Sequence, residues 1–321
     1  MDMTAAGMPL VIEYAAARGL DACAWADANQ ADIDEALLRH GAILFRGFPL
    51  QTPAEFEAFA SRMVSRLYGD YGDLPKKEGG QEIYQSTPYP EREMILYHNE
   101  SSHLERWPGR QLFFCELPST HGGATPIVDC QAVYRALPAD MARDFARKHL
   151  LYVRNFIRGL DVRWQDFYGT SDRAQVETRL RGAGAQWEWL DGDALRTRMV
   201  CPAVIVHPRT GLPTFFNQVQ LHHISSLDAE LRESLLSMVA EDRLPRNVYY
   251  GDGSPISDAT MAVVGATYER LAVRFTWQRG DVLLLDNMRV AHARDPYEGP
   301  RKIAVAMGDM VARGDARQLH A

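Results

Sequence analysis

From residue 94 onward the chain breaks into short apolar runs closed by Gly, Pro or Asp, and this punctuation limits the available folds more than any other feature. The runs are MILYHNE (94–100), RQLFFCEL (110–117), ATPIVDC (124–130), AVIVHP (203–208), PTFFNQV (213–219), AVRFTW (272–277), DVLLLDN (281–287) and KIAVAMGDM (302–310). Short strands separated by turn residues predict a sandwich or barrel. An earlier run, GAILFRGF (41–48), reads as a buried strand ending at a turn. It leads into a helix over 52–68, with Thr52 as N-cap, Pro53 in the first position and Phe56, Phe59, Met63 and Leu67 on one face. Further helical pieces are expected at about 132–148, 172–183, 227–242 and 258–270. These helices cluster rather than alternate with strands, which argues against a doubly wound parallel sheet. No glycine-rich loop of the Walker or Rossmann kind is present, and no GxSxG nucleophile elbow.

Composition narrows the function classes. At 46% hydrophobic and 24% charged residues, the 321-residue chain can bury a sizeable core. Its formal charge of −7 is dispersed, without the basic run that would neutralise nucleic-acid phosphates. Four scattered cysteines form neither a disulfide framework nor a thiolate zinc site, so reduced thiols are expected. No apolar run approaches the roughly 18 to 20 residues of a membrane span, and the N-terminus reads poorly as a signal peptide. The expectation is a cytoplasmic protein with no nucleic-acid or membrane partner. No linker or repeat divides the chain, which reads as one domain over 1–321. Within it, the polar Gly- and Pro-rich stretch 69–93 reads as an active-site lid.

Two His-x-Glu pairs stand close together, His98 with Glu100 and His103 with Glu105. On a strand, residues i and i+2 share a face, so His98 and Glu100 at the end of MILY can both turn inward. The second pair lies in the turn-like SSHLERWPG, and His103 is read as a loop residue. A lone His-x-Glu fits a metal clamp or merely polar residues where a strand leaves the core. A third ligand must come from elsewhere, and His292, on or just after the DVLLLDN strand, is the best candidate. Two histidines and one carboxylate on one face of an octahedron form the ligand set of non-heme Fe(II) oxygenases. Arg301, nine residues beyond His292, follows a segment, HARDPYEGPRK, that can loop out and return. A guanidinium there would suit the distal carboxylate of a dicarboxylic cosubstrate.

Taken together, these motifs resemble the taurine dioxygenase/TfdA-like superfamily of Fe(II)- and 2-oxoglutarate-dependent oxygenases. More narrowly, the chain is similar to the branch holding clavaminate synthase and the syringomycin-biosynthesis-type amino-acid hydroxylases. The likeness runs over nearly the whole chain and includes GAILFRGF, YQSTPYP, YHNESSH, GGATPIVD, HPRTGLPTFFNQ, YYGDGSPI and FTWQRGDVLLLDNMRVAHARDPYEG. It implies a mainly β, double-stranded β-helix (jelly-roll) core flanked by helices, with an insertion of helices and loops over about 132–270. It implies that His98, Glu100 and His292 hold Fe(II), that Arg301 and Thr125 hold 2-oxoglutarate, and that O₂ is the second cosubstrate. Glu100 in place of a small residue argues against a halogenase, because no ligand position is vacated for chloride.

Substrate residues are less defined. Ser86 and Thr87 before the first ligand, Asn99 between the ligands, Arg110, and Asn217 with Gln218 are candidates for the pocket wall. Asn99 points away on a regular strand and lines the pocket only where the strand end twists. Arg110, Arg154 and Arg158 are alternatives for a substrate carboxylate, each competing with an ordinary salt bridge. His222 and His223, adjacent on the chain, face opposite ways and read as structural. The expected reaction is hydroxylation of an amino acid, free or tethered to a carrier protein. Desaturation or cyclisation would use the same centre; a non-catalytic metal-binding β-helix or a zinc hydrolase are the other classes.

Overall fold

The computed structural model describes residues 7–14, 21–69, 80, 82–85, 89–317 and 319. Much of the expected lid, and Ser86 and Thr87 with it, lies outside the described residues.

Two sheets form the core. The larger has six strands in the order Leu10–Glu13, Ala42–Arg46, Val282–Asp286, Arg106–Leu117, Lys302–Ala312, Tyr84–Gln85. The first pair is parallel and the others antiparallel. Opposite it stands a three-stranded antiparallel sheet ordered Ile95–His98, Val290–Arg294, Ile127–Asp129. Non-consecutive strands thus pair across two facing sheets, as in a jelly roll.

The large sheet is apolar on both faces, which is why its strands read as unbroken runs rather than alternating ones. Ile43, Phe45, Leu112, Phe114, Val282, Leu284, Ala304 and Ala306 pack outward against the helices Ala22–Ala28, Gln30–His40 and Pro53–Met63. Their neighbours Leu44, Phe113, Leu283, Leu285, Ile303 and Val305 turn into the space between the sheets with Ile127, Val290 and Trp277. Thr52 and Glu55 close a reciprocal capping box at the start of the third helix, with Pro53 at its first turn. That helix stops at Met63, earlier than expected, and Leu67 instead bridges Gly308 beside the large sheet.

The insertion departs from the expected helices and loops. It contains those helices, but also a four-stranded antiparallel sheet ordered Arg246–Tyr250, Leu150–Phe156, Ala194–Cys201, Gln186–Leu190. Charged residues within these strands hide them in the sequence. Arg196, for example, is buried, donating from Nε to Asn155 Oδ1 at 2.8 Å and from Nη2 to the Asp242 carboxylate at 3.0 Å. Conversely, AVRFTW is not a strand: only Val273 bridges Ile127, while Arg274 turns outward to Glu269 and Asp295. The inner face of the insertion, with Phe145, Leu150, Tyr152, Val248 and Tyr268, packs on Tyr97, Val128, Ala291 and Ala293 behind the small sheet. The strands that carry His98 and His292 are therefore clamped from both sides.

Candidate metal centre and cosubstrate pocket

His98 ends its strand, and the backbone ladder places it directly opposite His292 on the neighbouring one. Their ring centroids lie 4.3 Å apart. Glu100 sits in the turn that follows. Ligand atoms of His98, Glu100 and His292 all lie within 4.8 Å of one another, and all three residues are buried; among the described residues this is the one group of His, Cys, Asp or Glu that can close on an ion. His103 and Glu105 are not part of it.

Two of the three side chains, His98 and Glu100, are held by hydrogen bonds from behind. His98 Nδ1 is 2.7 Å from the Leu96 carbonyl. A carbonyl only accepts, so Nδ1 carries the proton and Nε2 keeps its lone pair for a metal. Burial, with the nearby charge of His98 adding to it, pushes the His292 imidazole well below its ordinary pKa and keeps it in the neutral form that ligates. Its Nδ1 is buried without a hydrogen-bond partner. Glu100 accepts from Gln111 Nε2 at 3.2 Å and from the Ser101 N–H at 3.1 Å. Ser101 takes φ of +58° to make that turn; for a residue with a Cβ, such backbone costs about 1–2 kcal/mol. Two imidazoles and one carboxylate, all buried and converging on one point, suit a divalent iron with open positions.

Along the strand from His292 the same pocket is lined by Arg294, and across it by Gln111, Phe113, Thr125 and Arg301. Arg301 donates from Nε to the Gly123 carbonyl at 3.1 Å and from Nη2 to Thr125 Oγ1 at 3.4 Å. Trp277 Nε1 donates to the same Thr125 oxygen at 3.0 Å. Gly123 has φ of +69°, and a Cβ there would come within 3.0 Å of Tyr297 and 3.1 Å of the Arg301 side chain; only glycine lets the arginine pass. Burial and the charge of Arg294 lower Arg301 to about 10.

The substrate candidates divide. Asn99 is fully buried behind the centre, donating to the Asn287 carbonyl at 2.8 Å and accepting from the Asn217 N–H at 3.2 Å. Asn217 is equally spent, on the Ala203 carbonyl and the Val219 N–H. Gln218 Nε2 donates to the Asn99 carbonyl. These side chains knot the backbone rather than line the pocket. Arg110 points to the outer face of the large sheet, bonding Asp34 and the Met63 carbonyl at 2.6 Å each, while its neighbour Gln111 faces inward. Arg154 is paired with Asp161 at 2.8 Å. No signal in the sequence pointed to the pairing of His103 and His222, whose rings lie 4.8 Å apart at a tilt of 47° beside Tyr152. Nor was Asn287 anticipated; its only signal was a polar residue closing an apolar strand.

A jelly roll carrying this ligand group above an arginine-ended pocket defines an Fe(II)/2-oxoglutarate-dependent dioxygenase. A family model described as "Taurine catabolism dioxygenase TauD, TfdA family" matches residues 9–307, and the chain belongs to that family. Such dioxygenases use Fe(II), 2-oxoglutarate and O₂. The chain is 34% identical over 290 residues to the dapdiamide synthesis protein DdaC of Enterobacter agglomerans, covering 90% of this chain and 88% of that protein. It is 29% identical over 298 residues to a clavaminate synthase-like protein of Arabidopsis thaliana, covering 86% and 83%. Among solved structures, a taurine dioxygenase from Burkholderia xenovorans superposes with a TM-score of 0.52 at 17% identity, over 97% of this chain and 91% of that one. AAD-2 in complex with Mn(II) and N-oxalylglycine gives 0.51 at 15% identity, over 94% of each. Among the described residues, no helix is long and apolar enough to cross a membrane.

Proposed function

We propose that this dioxygenase hydroxylates an unactivated C–H bond of an amino-acid-like small molecule in specialised metabolism. In this reading His98, Glu100 and His292 hold the iron, while Arg301 and Thr125 hold the far carboxylate of 2-oxoglutarate. The observation that carries it is the placement of the three-ligand group and Arg301 in one pocket. The amino-acid character of the substrate is supported by similarity to a protein named for dapdiamide synthesis.

Iron held by His98, Glu100 and His292 would supply the oxidant from 2-oxoglutarate and O₂, the oxo acid being converted to succinate and CO₂. The chain's own residues prepare that chemistry. The Leu96 carbonyl fixes the His98 tautomer, and Gln111 orients the Glu100 carboxylate, so these two side chains are already set to receive the metal. Arg301, fixed by the Gly123 carbonyl and Thr125, offers a rigid donor set to a carboxylate. Phe113, edge-on to His292 at 4.9 Å, keeps water from that side of the centre.

The test is a screen of free amino acids, small amino-acid amides and carrier-bound aminoacyl groups for substrate-dependent succinate release with Fe(II) and 2-oxoglutarate. A product heavier by one oxygen supports hydroxylation. A product lighter by two hydrogens points to desaturation or ring closure, and no succinate with any member of the panel counts against the amino-acid reading.

A further inference from the structure

Arg294 lies two residues beyond His292 on the same strand and faces the same pocket. Its guanidinium is buried, yet it has no carboxylate hydrogen-bonded to it among the described residues. Instead its two terminal nitrogens donate to three backbone carbonyls of one short segment: Tyr89 at 3.1 Å, Pro90 at 2.6 Å and Glu93 at 2.7 Å. The segment is also tethered by the Tyr297 N–H, which donates to the Glu91 carbonyl at 2.9 Å. Arg294 and Arg301 both sit over the Tyr297 ring, at 5.2 and 5.6 Å from its centroid. The Nε of Arg294 is buried with no acceptor.

Two guanidiniums sharing one ring repel each other, and a buried donor without an acceptor is costly. An anion entering the pocket beside Arg301 would offset the repulsion between the two guanidiniums. Arg294 would then lose less by staying on the carbonyls of residues 89–93, and its hold on that segment would be stronger. We infer that Arg294 is a second positioning residue of the cosubstrate pocket, which couples occupancy by a 2-oxo dicarboxylate to docking of segment 89–93. The inference rests on the reading of Arg301 as the carboxylate site. It predicts that a 2-oxo acid lacking the distal carboxylate fails to dock the segment even when it reaches the metal.

The experiment uses the full chain loaded with Mn(II), with 2-oxoglutarate or pyruvate as probe, and measures affinity together with amide exchange at residues 91–94. In the wild type, saturating 2-oxoglutarate should slow exchange there several-fold and pyruvate should not. Arg294→Lys, which keeps the charge but loses the fork and Nε, should weaken 2-oxoglutarate binding about tenfold. It should also abolish the ligand-dependent protection and leave Mn(II) affinity unchanged. A merely structural role would raise exchange in the variant equally with and without ligand. Equal protection by pyruvate, absence of protection in the wild type, or unaltered 2-oxoglutarate affinity in a folded Arg294→Lys would each overturn the inference. The wild-type comparison decides alone if the variant does not fold. Failure of 2-oxoglutarate to bind the Mn(II)-loaded wild type at all would instead overturn the cosubstrate reading itself.

Discussion

The side-chain amide of Asn287 grips the backbone of Glu100, 187 residues away: the Glu100 N–H donates to Asn287 Oδ1 at 2.7 Å, and Asn287 Nδ2 donates to the Glu100 carbonyl at 3.1 Å. The same amide nitrogen reaches the Pro108 carbonyl at 2.8 Å, and the Asn287 carbonyl accepts from Asn99. One buried side chain therefore aligns the carboxylate ligand with the strand leading to His292. Asn287→Ala should lower stability by about 2–4 kcal/mol, as several buried groups lose partners. It should also weaken metal binding at least tenfold. Urea denaturation and metal titration of the variant check both, and wild-type metal affinity in a destabilised variant would separate fold from site.

Removing a ligand should be absolute. His98→Ala and His292→Ala should each eliminate Fe(II)-dependent succinate formation, whereas His103→Ala should bind iron as the wild type does. Loss of iron in the His103 variant would reopen the choice between the two His-x-Glu pairs.

At the far end of the pocket, Arg301→Ala should raise the 2-oxoglutarate KM on the order of a hundredfold, the worth of a buried charge-assisted contact. Thr125→Val should raise it less and should also cost about 1–3 kcal/mol of stability, because Trp277 Nε1 loses its acceptor. Steady-state kinetics with varied cosubstrate distinguish the two. An unchanged KM in Arg301→Ala would mean another group holds the carboxylate.

Acid should destabilise the fold through the neighbouring buried imidazoles of His103 and His222. Burial, with Arg246, Arg154 and His98 adding to it, holds His103 down at about 3, and His222 is pushed the same way. Between the ordinary value of about 6.5 and that level, the unfolded chain takes the proton and the folded one refuses it. Stability is therefore full above pH 6.5 and falls with pH by up to about 1.4 kcal/mol per unit for each such histidine. Denaturation midpoints at pH 7.5 and 5 test this, with His103→Phe expected to flatten the slope; identical slopes would show that His103 protonates in the native state.

The parts of the molecule written as plain apolar runs were legible in the sequence: the four central strands of the large sheet, the capped helix at Thr52, and the inward turn of His98 and Glu100 around an outward Asn99; the edge strands Leu10–Glu13 and Tyr84–Gln85 were not. What escaped reading was polar and buried. The strands of the insertion carry Arg154, Arg196 and Arg246, whose charges interrupt alternation and are compensated by partners remote in sequence, such as Asp242 for Arg196. Arg110 and Asn217 attracted attention as pocket candidates because no local pattern reveals which face of a strand a polar residue takes, or which distant carbonyl will satisfy it. Thr125 came from resemblance alone, and its hydroxyl proves to be shared with Trp277.

The pairing of His98 with His292 across two strands also orders events while the chain is being made. A growing polypeptide exposes His98 and Glu100 early. The opposing strand, and Asn287 just before it, emerge only after the whole insertion between them has been synthesised. If His98, Glu100 and His292 hold the iron, two of them without the third would make a weak and unselective chelator, so iron capture would wait for the strand that carries His292. Metal loading would then report that this strand has paired with the one laid down long before it.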